Sequence, residues 1–394
     1  MTKKAIALLL ALVMCLSLVG CSGSGAAATE DHYKIGVIVY NTGDEEVIGF
    51  REYLKGYIEK NFEMVEFVYS DSIRTPEQEM AFIQNACDNG VKGFMSFRTF
   101  DLKAEVELCE KNEAFYMLAS GTVDDEEFDA VADSPWFLGM FGPGIELEYR
   151  AGLDMAKHFA REHTGSRYLI LSGGAGAGND MHYQRTLGML NGFTTLTGVT
   201  FGRPAEELAA ATEPVTVNAG RFSVTIVPGY MSVEESRKAA IDVYKADSYD
   251  VVMSTLNAGE FTDALNGSEF GMVDSYNTRN LQLFVNGKLH YLVGKYSSSV
   301  GPAFALMLNA LTGYGEDFRD DGRAIKVAQS FWISDNMQDY TDKYALSVSE
   351  AMNAYNFADL SQVCRIYNPD ANLIQLIALA QANSYEQVLV RRGA

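Results

Sequence analysis

The chain is poor in cysteine and histidine and has no basic excess. Its cysteines are Cys15, Cys21, Cys87, Cys109 and Cys364, with no Cys-x-x-Cys pair, so neither a zinc site nor a disulfide framework is expected; a Cys87–Cys109 bridge stays open. Of the five histidines, His158 and His163 share a stretch with Glu162, but the spacing matches neither H-E-x-x-H nor H-x-x-E-H. No metal is assigned, and a solvated helix face accounts for them. There is no G-x-S-x-G elbow and no ordered Ser/His/Asp set, so no catalytic residue is assigned. Asp124-Asp125 and Glu126-Glu127 read as a charged surface loop, not a glycosidase dyad. With 31 Lys and Arg against 52 Asp and Glu, the formal charge is −21. Phosphate neutralisation needs a basic face, so nucleic-acid partners are disfavoured.

Long apolar runs are confined to the start. Lys3 and Lys4 precede an apolar stretch from Ala5 to Val19, which has the build of a secretory leader. Leu18-Val19-Gly20-Cys21 resembles the lipobox of bacterial lipoproteins, in which cleavage precedes a cysteine that is then lipidated. Residues 1–20 are therefore expected to be a lipoprotein signal, and Cys21 the lipidated residue, carrying the more than one acyl chain that stable anchoring requires. Removing Lys3 and Lys4 with this segment takes the charge from −21 to −23. Residues 21–32, small and polar, read as a flexible tether. Nothing later reaches about eighteen uninterrupted apolar residues, so the body is not expected to cross a bilayer.

What the body does contain is strands alternating with helices. Arg167 to Phe193, RYLILSGGAGAGNDMHYQRTLGMLNGF, is the most informative stretch: a short apolar strand, a Gly-rich turn, then a helix with Leu187, Leu190 and Phe193 at helical spacing. Gly188 and Gly192 allow close packing. Asn179, Asp180, His182 and Arg185 fall just past the carboxyl end of the strand, where open α/β sheets take their ligands. The third glycine of G-x-G-x-x-G is missing from either starting point, and no Gly-Lys-Ser/Thr follows. No nucleotide cofactor is implied, nor any other cofactor.

Upstream, Tyr33–Tyr40, Val65–Tyr69, Gly93–Phe97 and Ala114–Leu118 read as strands. Between them lie helices at Glu46–Phe62, Pro76–Asn89 and Leu102–Asn112. The pattern restarts after Trp136–Met140, with Val224–Val227 and Tyr249–Met253 as later strands and Ser232–Ala246 as a helix. Such alternation implies parallel sheets with right-handed crossovers. The fold class expected is α/β, two doubly wound parallel-sheet lobes.

The order of several segments is similar to the type 1 periplasmic binding proteins, the ribose/galactose-like solute-binding proteins of ABC importers. These segments are IGVIVYN, NACDNGVKGFMSF, the Gly-rich strand-loop-helix with Arg185, GYMSVEESRKAAIDVYKADSYDVVMSTLNAGEF, NGKLHYLVGKYSSSVGPAFALMLNALTGYG and VAQSFWISDNM. The resemblance implies a three-strand hinge, with crossings near Phe141–Gly144, Val293–Tyr296 and Gln329–Ser334. It assigns 33–141 plus 296–330 to an N-terminal lobe and 142–293 plus 334–394 to a C-terminal lobe, with helices Val300–Thr312 in the first and Asp339–Phe357 in the second. Three parallel connections let the lobes close on a guest while few torsions change.

By position, the resemblance makes Asn41, Arg98, Asn179, Asp180, Arg185, Asn257 and Asp274 candidate ligand-binding residues. Asn and Asp suit sugar hydroxyls, and Arg offers a fixed donor fork. Asn41, Asn179 and Asp180 also stand where helix capping alone would explain them. Tyr40, Phe97, Phe100, Tyr183, Tyr230 and Tyr276 are candidate ring stackers or core. Trp136 and Trp332 read first as packing. Arg185→Ala is expected to abolish binding and leave the ligand-free melting point nearly unchanged.

The expected protein is a monomeric, lipid-anchored receptor at the extracytoplasmic face of the cell membrane, not an enzyme. It would bind a small polar ligand such as a sugar and deliver it to the membrane permease of an ABC importer. A sensor feeding a membrane kinase or chemoreceptor uses the same lobes, and a surface-anchored hydrolase is the alternative of another class. The two arginines leave a sugar acid open, and the aromatics a nucleoside.

Overall fold

The computed structural model describes residues 32–163, 166–173, 180–220, 222–348 and 353–393. The leader, Cys21 and Asn179 lie outside them. Among the described residues the strands are β1 (Tyr33–Val39), β2 (Val65–Ser72), β3 (Val91–Ser96), β4 (Phe115–Leu118), β5 (Phe137–Gly142), β6 (Arg167–Ser172), β7 (Val215–Ala219), β8 (Phe222–Pro228), β9 (Val251–Ser254), β10 (Glu269–Ser275), β11 (Tyr291–Lys295), β12 (Ile325–Ala328) and β13 (Trp332–Ser334). Two sheets form, in the orders β12-β5-β4-β3-β1-β2 and β13-β11-β10-β9-β6-β8-β7. The first is wholly parallel. The second is parallel except for the β7–β8 hairpin and the β11–β13 edge. The α/β, doubly wound expectation holds, and the hairpin strand β7 is an addition to it.

Local chemistry sets the boundaries. β1 and β6 are near-continuous apolar runs because helices cover both faces of a parallel sheet. Thr75 and Gln78 form a capping box in front of Pro76, and Asp44 caps the Glu45–Arg51 helix through a bond to Glu46 N. The helix expected over Glu46–Phe62 is present but turns π-helical from Glu52 to Ile58.

The chain passes between the sheets after β5, after β11 and after β12. Gly142, at the first passage, has φ +155, and a Cβ there would lie 2.3 Å from Gly121 O. No residue other than glycine fits. At the third passage Trp332 stacks on Tyr296, ring centroids 3.9 Å apart. Asn383 grips the same place: its Nδ2 donates to Ser330 O at 3.0 Å, its Oδ1 accepts from Ser330 N at 3.3 Å, and its carbonyl accepts from Trp332 Nε1 at 2.8 Å.

One assignment changes. The Met337–Val348 helix packs on the Thr278–Val285 helix of the second lobe, but the chain from residue 353 onward returns to the first lobe. Tyr53 Oη donates to Tyr355 O at 2.8 Å, Tyr57 Oη accepts from Phe357 N at 2.9 Å, and Asn309 Nδ2 donates to Val363 O at 2.8 Å. Residues 334–394 are therefore not a single second-lobe segment. The apolar helices Phe357–Gln362 and Leu373–Gln381 find their cover on the Gly301–Asn309 helix, which is buried along its length.

Candidate ligand cleft between the lobes

The carboxyl ends of β1 and β3 in one sheet and of β6, β8, β9, β10 and β11 in the other carry the candidate residues. Asn41 follows β1; its Oδ1 accepts from Gly43 N at 3.2 Å, forming an Asx turn. Asn257 follows β9 in the same way, its Oδ1 accepting from Gly259 N at 3.0 Å. Each keeps its Nδ2 without an acceptor among the described residues. Asp180 opens the Asp180–Thr197 helix and is exposed. Asn179 lies outside the described residues.

Arg98 and Arg185 have different surroundings. Arg98 is half-buried, its guanidinium 3.8 Å from the Phe100 ring centroid. No described residue accepts a hydrogen bond from it, so the donor fork is available. Burial depresses its pKa. The loop that holds Arg98 is fixed from behind by buried Glu105. That carboxylate accepts from Thr99 Oγ1 at 2.6 Å, Phe100 N at 2.8 Å, Asp101 N at 3.0 Å and Tyr116 Oη at 2.7 Å. Glu79, fully buried beside it, has its pKa raised to about 9, by burial first and by Glu105 second. It is a neutral acid at physiological pH.

Arg185 is committed to the protein. Its Nε lies 2.5 Å from Glu148 Oε2, with side chains 7% and 0% exposed, and its NH1 donates to Thr255 O at 2.7 Å. Glycines bring this pair together. A Cβ on Gly152 would stand 1.9 Å from Arg185 O, and one on Gly188 2.0 Å from Tyr149 O, so the Gly144–Glu162 and Asp180–Thr197 helices touch backbone to backbone. His182, one turn earlier, places Nδ1 3.1 Å from Thr255 O, and burial followed by the Arg185 charge lowers its pKa to about 3. It is a neutral packing residue.

Asp274 ends β10. Its Oδ2 accepts from Asn280 Nδ2 at 2.6 Å and from Asn277 Nδ2 at 3.5 Å. Burial, then the charge of Asp44, raises its pKa to about 8. Lys295, at the end of β11, reaches across to the first lobe, its Nζ 3.4 Å from Glu46 Oε1. Glu46 and Lys295 were not singled out from sequence. Lys295 could have been found as a charged residue ending an otherwise apolar strand at a crossing. Tyr276 and Trp332 are core: Tyr276 is buried and bonds Ser334 through its hydroxyl at 2.8 Å. Cys87, Cys109 and Cys364 are free thiols.

Two mainly parallel sheets, joined by three strand-to-strand passages and by the later return of the chain to the first lobe, define the periplasmic-binding-protein-like I fold. Solved structures share it across nearly their whole length. An ABC transporter solute-binding protein from Bacillus halodurans with bound myo-inositol is 14% identical, with a TM-score of 0.58 over 81% of this chain and 99% of that one. The arabinose-transporter binding component from Shewanella sp. ANA-3, bound to α- and β-L-arabinofuranose, is 13% identical, with a TM-score of 0.55 over 81% and 96%. XylFII in its complex with LytSN is 11% identical, with a TM-score of 0.54 over 78% and 99%. No protein-family model matches the chain, and no curated protein does. No helix among the described residues is long and apolar enough to cross a membrane.

Proposed function

We propose that this chain is a solute-binding protein that closes two lobes over a small polyhydroxylated ligand and delivers it to the permease of an ABC importer, held at the extracytoplasmic face of the membrane through lipidated Cys21. The observation that carries the reading is Arg98, a half-buried guanidinium with an open donor fork just past the carboxyl end of β3. Asn41, Asn257 and Asp274 add acceptors and donors at strand ends of both lobes. The bound myo-inositol and arabinofuranose of two similar structures agree with a guest of that size and polarity. Closure then needs only the connections between the lobes to flex. In this reading the protein binds its ligand without altering it, in keeping with the solute-binding protein with bound myo-inositol that it resembles in fold.

The similarity to XylFII in complex with LytSN supports a second reading, in which the closed form is read by a membrane sensor. Co-purification with a permease or with a sensor separates the two. A thermal-shift screen against sugars, cyclitols, sugar acids and nucleosides tests the binding reading itself. A ligand at about 100 times its dissociation constant stabilises the fold by about 2.7 kcal/mol. A screen without a single stabilising polyol or sugar would defeat it.

A further inference from the structure

The helix that follows β1 borders a cavity of its own. It runs as α-helix over Glu45–Arg51 and then widens into a π-helix over Glu52–Ile58; π turns are rare and often mark functional sites. Between this helix and β2 lies a cavity of about 380 Å³, a volume in the range of small-molecule sites. Its walls come from one lobe alone, namely β1, the turn after it, the widened helix and β2, the edge strand of the first sheet. Val39, Val47 and Ile48 give it an apolar wall, and Tyr69 reaches it from β2.

Three independent features point to a guest. Tyr69 Oη is buried and has no hydrogen-bond partner among the described residues. Burial pushes the pKa of this phenol up, so it keeps its proton and offers a donor. Leaving a buried hydroxyl unpaired costs free energy that an acceptor on a ligand would recover. Gly56, in the π-helical stretch, also lines the cavity. Glycine weakens a helix interior, and a Cβ at this position would meet nothing within 4 Å, so packing does not demand it; the missing side chain keeps the cavity open.

Arg51 supplies the third feature. It is exposed at the rim, its guanidinium 5.1 Å from the centroid of the same Tyr69 ring. No described carboxylate pairs with it, in a chain with 52 Asp and Glu against 31 Lys and Arg. Lys55 beside it is loosely held, its Nζ 3.9 Å from Glu59 Oε1, which already accepts from Phe67 N at 2.6 Å. Against these cations the lining has one carboxylate, the exposed Glu52. A sugar would bury hydroxyls against the apolar wall without partners, and inorganic phosphate would leave that wall uncovered.

We infer that this cavity is a second binding site, separate from the cleft, for a small carboxylic acid with an apolar or aromatic body. The body lies against Ile48 and the Tyr69 ring, and the carboxylate accepts from the Arg51 fork and from Tyr69 Oη.

Isothermal titration of the mature chain tests this with benzoate, phenylacetate and isovalerate, each beside its amide, which keeps the shape and loses the charge. At least one acid is expected to bind roughly tenfold tighter than its amide, the advantage of a charge-assisted bond over a neutral one. Arg51→Met, which keeps the bulk of the stem, is expected to bring that ratio to about one. Gly56→Leu, which fills the opening, is expected to remove acid binding, whereas Arg98→Ala, which disables the cleft, is expected to leave it unchanged. Should Gly56→Leu fail to fold, the amides and Arg51→Met decide alone. The inference is overturned if no acid binds, if the amides bind as tightly as every acid, if the preference survives Arg51→Met, or if Arg98→Ala abolishes it. Sugar binding does not involve Arg51, so each of these results leaves the solute-binding reading standing.

Discussion

Arg185 was one of the two arginine ligand candidates in the sequence, yet its geometry predicts that its loss is felt first as instability. Arg185→Ala removes the partner of Glu148, a side chain with no exposure whose Oε1 is already without a hydrogen bond among the described residues. Deleting one member of a buried ion pair costs about 3–5 kcal/mol, because the remaining charge is stranded in low dielectric. In a lobe of this size each kcal/mol shifts the melting point by about 2–4 °C, so the variant should melt about 6–20 °C below wild type. Replacing both partners by apolar residues of similar volume, Glu148→Leu with Arg185→Met, should recover most of the loss. Urea unfolding of the ligand-free proteins, with thermal melts beside it, measures both. A single variant that melts within about 2 °C of wild type would refute the pairing argument. It would also restore the sequence expectation that this arginine faces the ligand.

Arg98→Ala should behave in the opposite way. Stability should change by no more than about 0.5 kcal/mol, since its guanidinium bonds no described residue. Ligand affinity should fall roughly 10- to 100-fold, the value of a hydrogen bond to a charged group, and calorimetry reads it. His182 has its pKa lowered to about 3 in the fold and sits near 6.5 when unfolded. Its contribution to stability is complete above pH ~6.5 and is lost as pH falls, reaching about 2 kcal/mol of loss near pH 5. The stability gap between wild type and His182→Gln should narrow by that amount between neutral pH and pH ~5 in urea melts; a gap independent of pH would count against a buried neutral imidazole. Asn383→Ala removes two side-chain bonds to Ser330 and should cost about 1 kcal/mol. It should also speed amide exchange at Ser330; an unchanged exchange rate would mean that Asn383 does not hold the third passage.

The two-sheet architecture was legible because parallel strands covered on both faces leave uninterrupted apolar runs, as in Tyr33–Val39 and Arg167–Ser172. The passages were placed through the resemblance to type 1 periplasmic binding proteins, not through local pattern, and the chain does change sheets after β5, β11 and β12. The hairpin strand Val215–Ala219 was not legible, since it alternates buried and exposed residues on an edge and carries little hydrophobic signal. Nor could local pattern tell which lobe would cover the helices from Phe357 onward, because an apolar helix face records that it is covered, not by what.

At the site, Arg98 and Asp274 were candidates through the resemblance alone; Arg98 stands just past β3 and Asp274 inside β10, near its end. Arg185 was placed correctly on its helix, but its direction depends on Glu148 thirty-seven positions away. That contact exists only because Gly152 and Gly188 let two backbones meet. Glu46 was read only as the first residue of a helix. Its pairing with Lys295 spans 249 positions and two lobes, beyond the reach of any periodicity.

Small-angle scattering of the mature chain, with and without a ligand found by calorimetry, tests the central claim most directly. If two lobes close over a guest, the radius of gyration falls on saturation, and Arg98→Ala needs correspondingly more ligand to reach the same compact state. A ligand that saturates the protein and leaves the scattering curve unchanged, or one whose affinity is indifferent to Arg98, would contradict capture between the lobes.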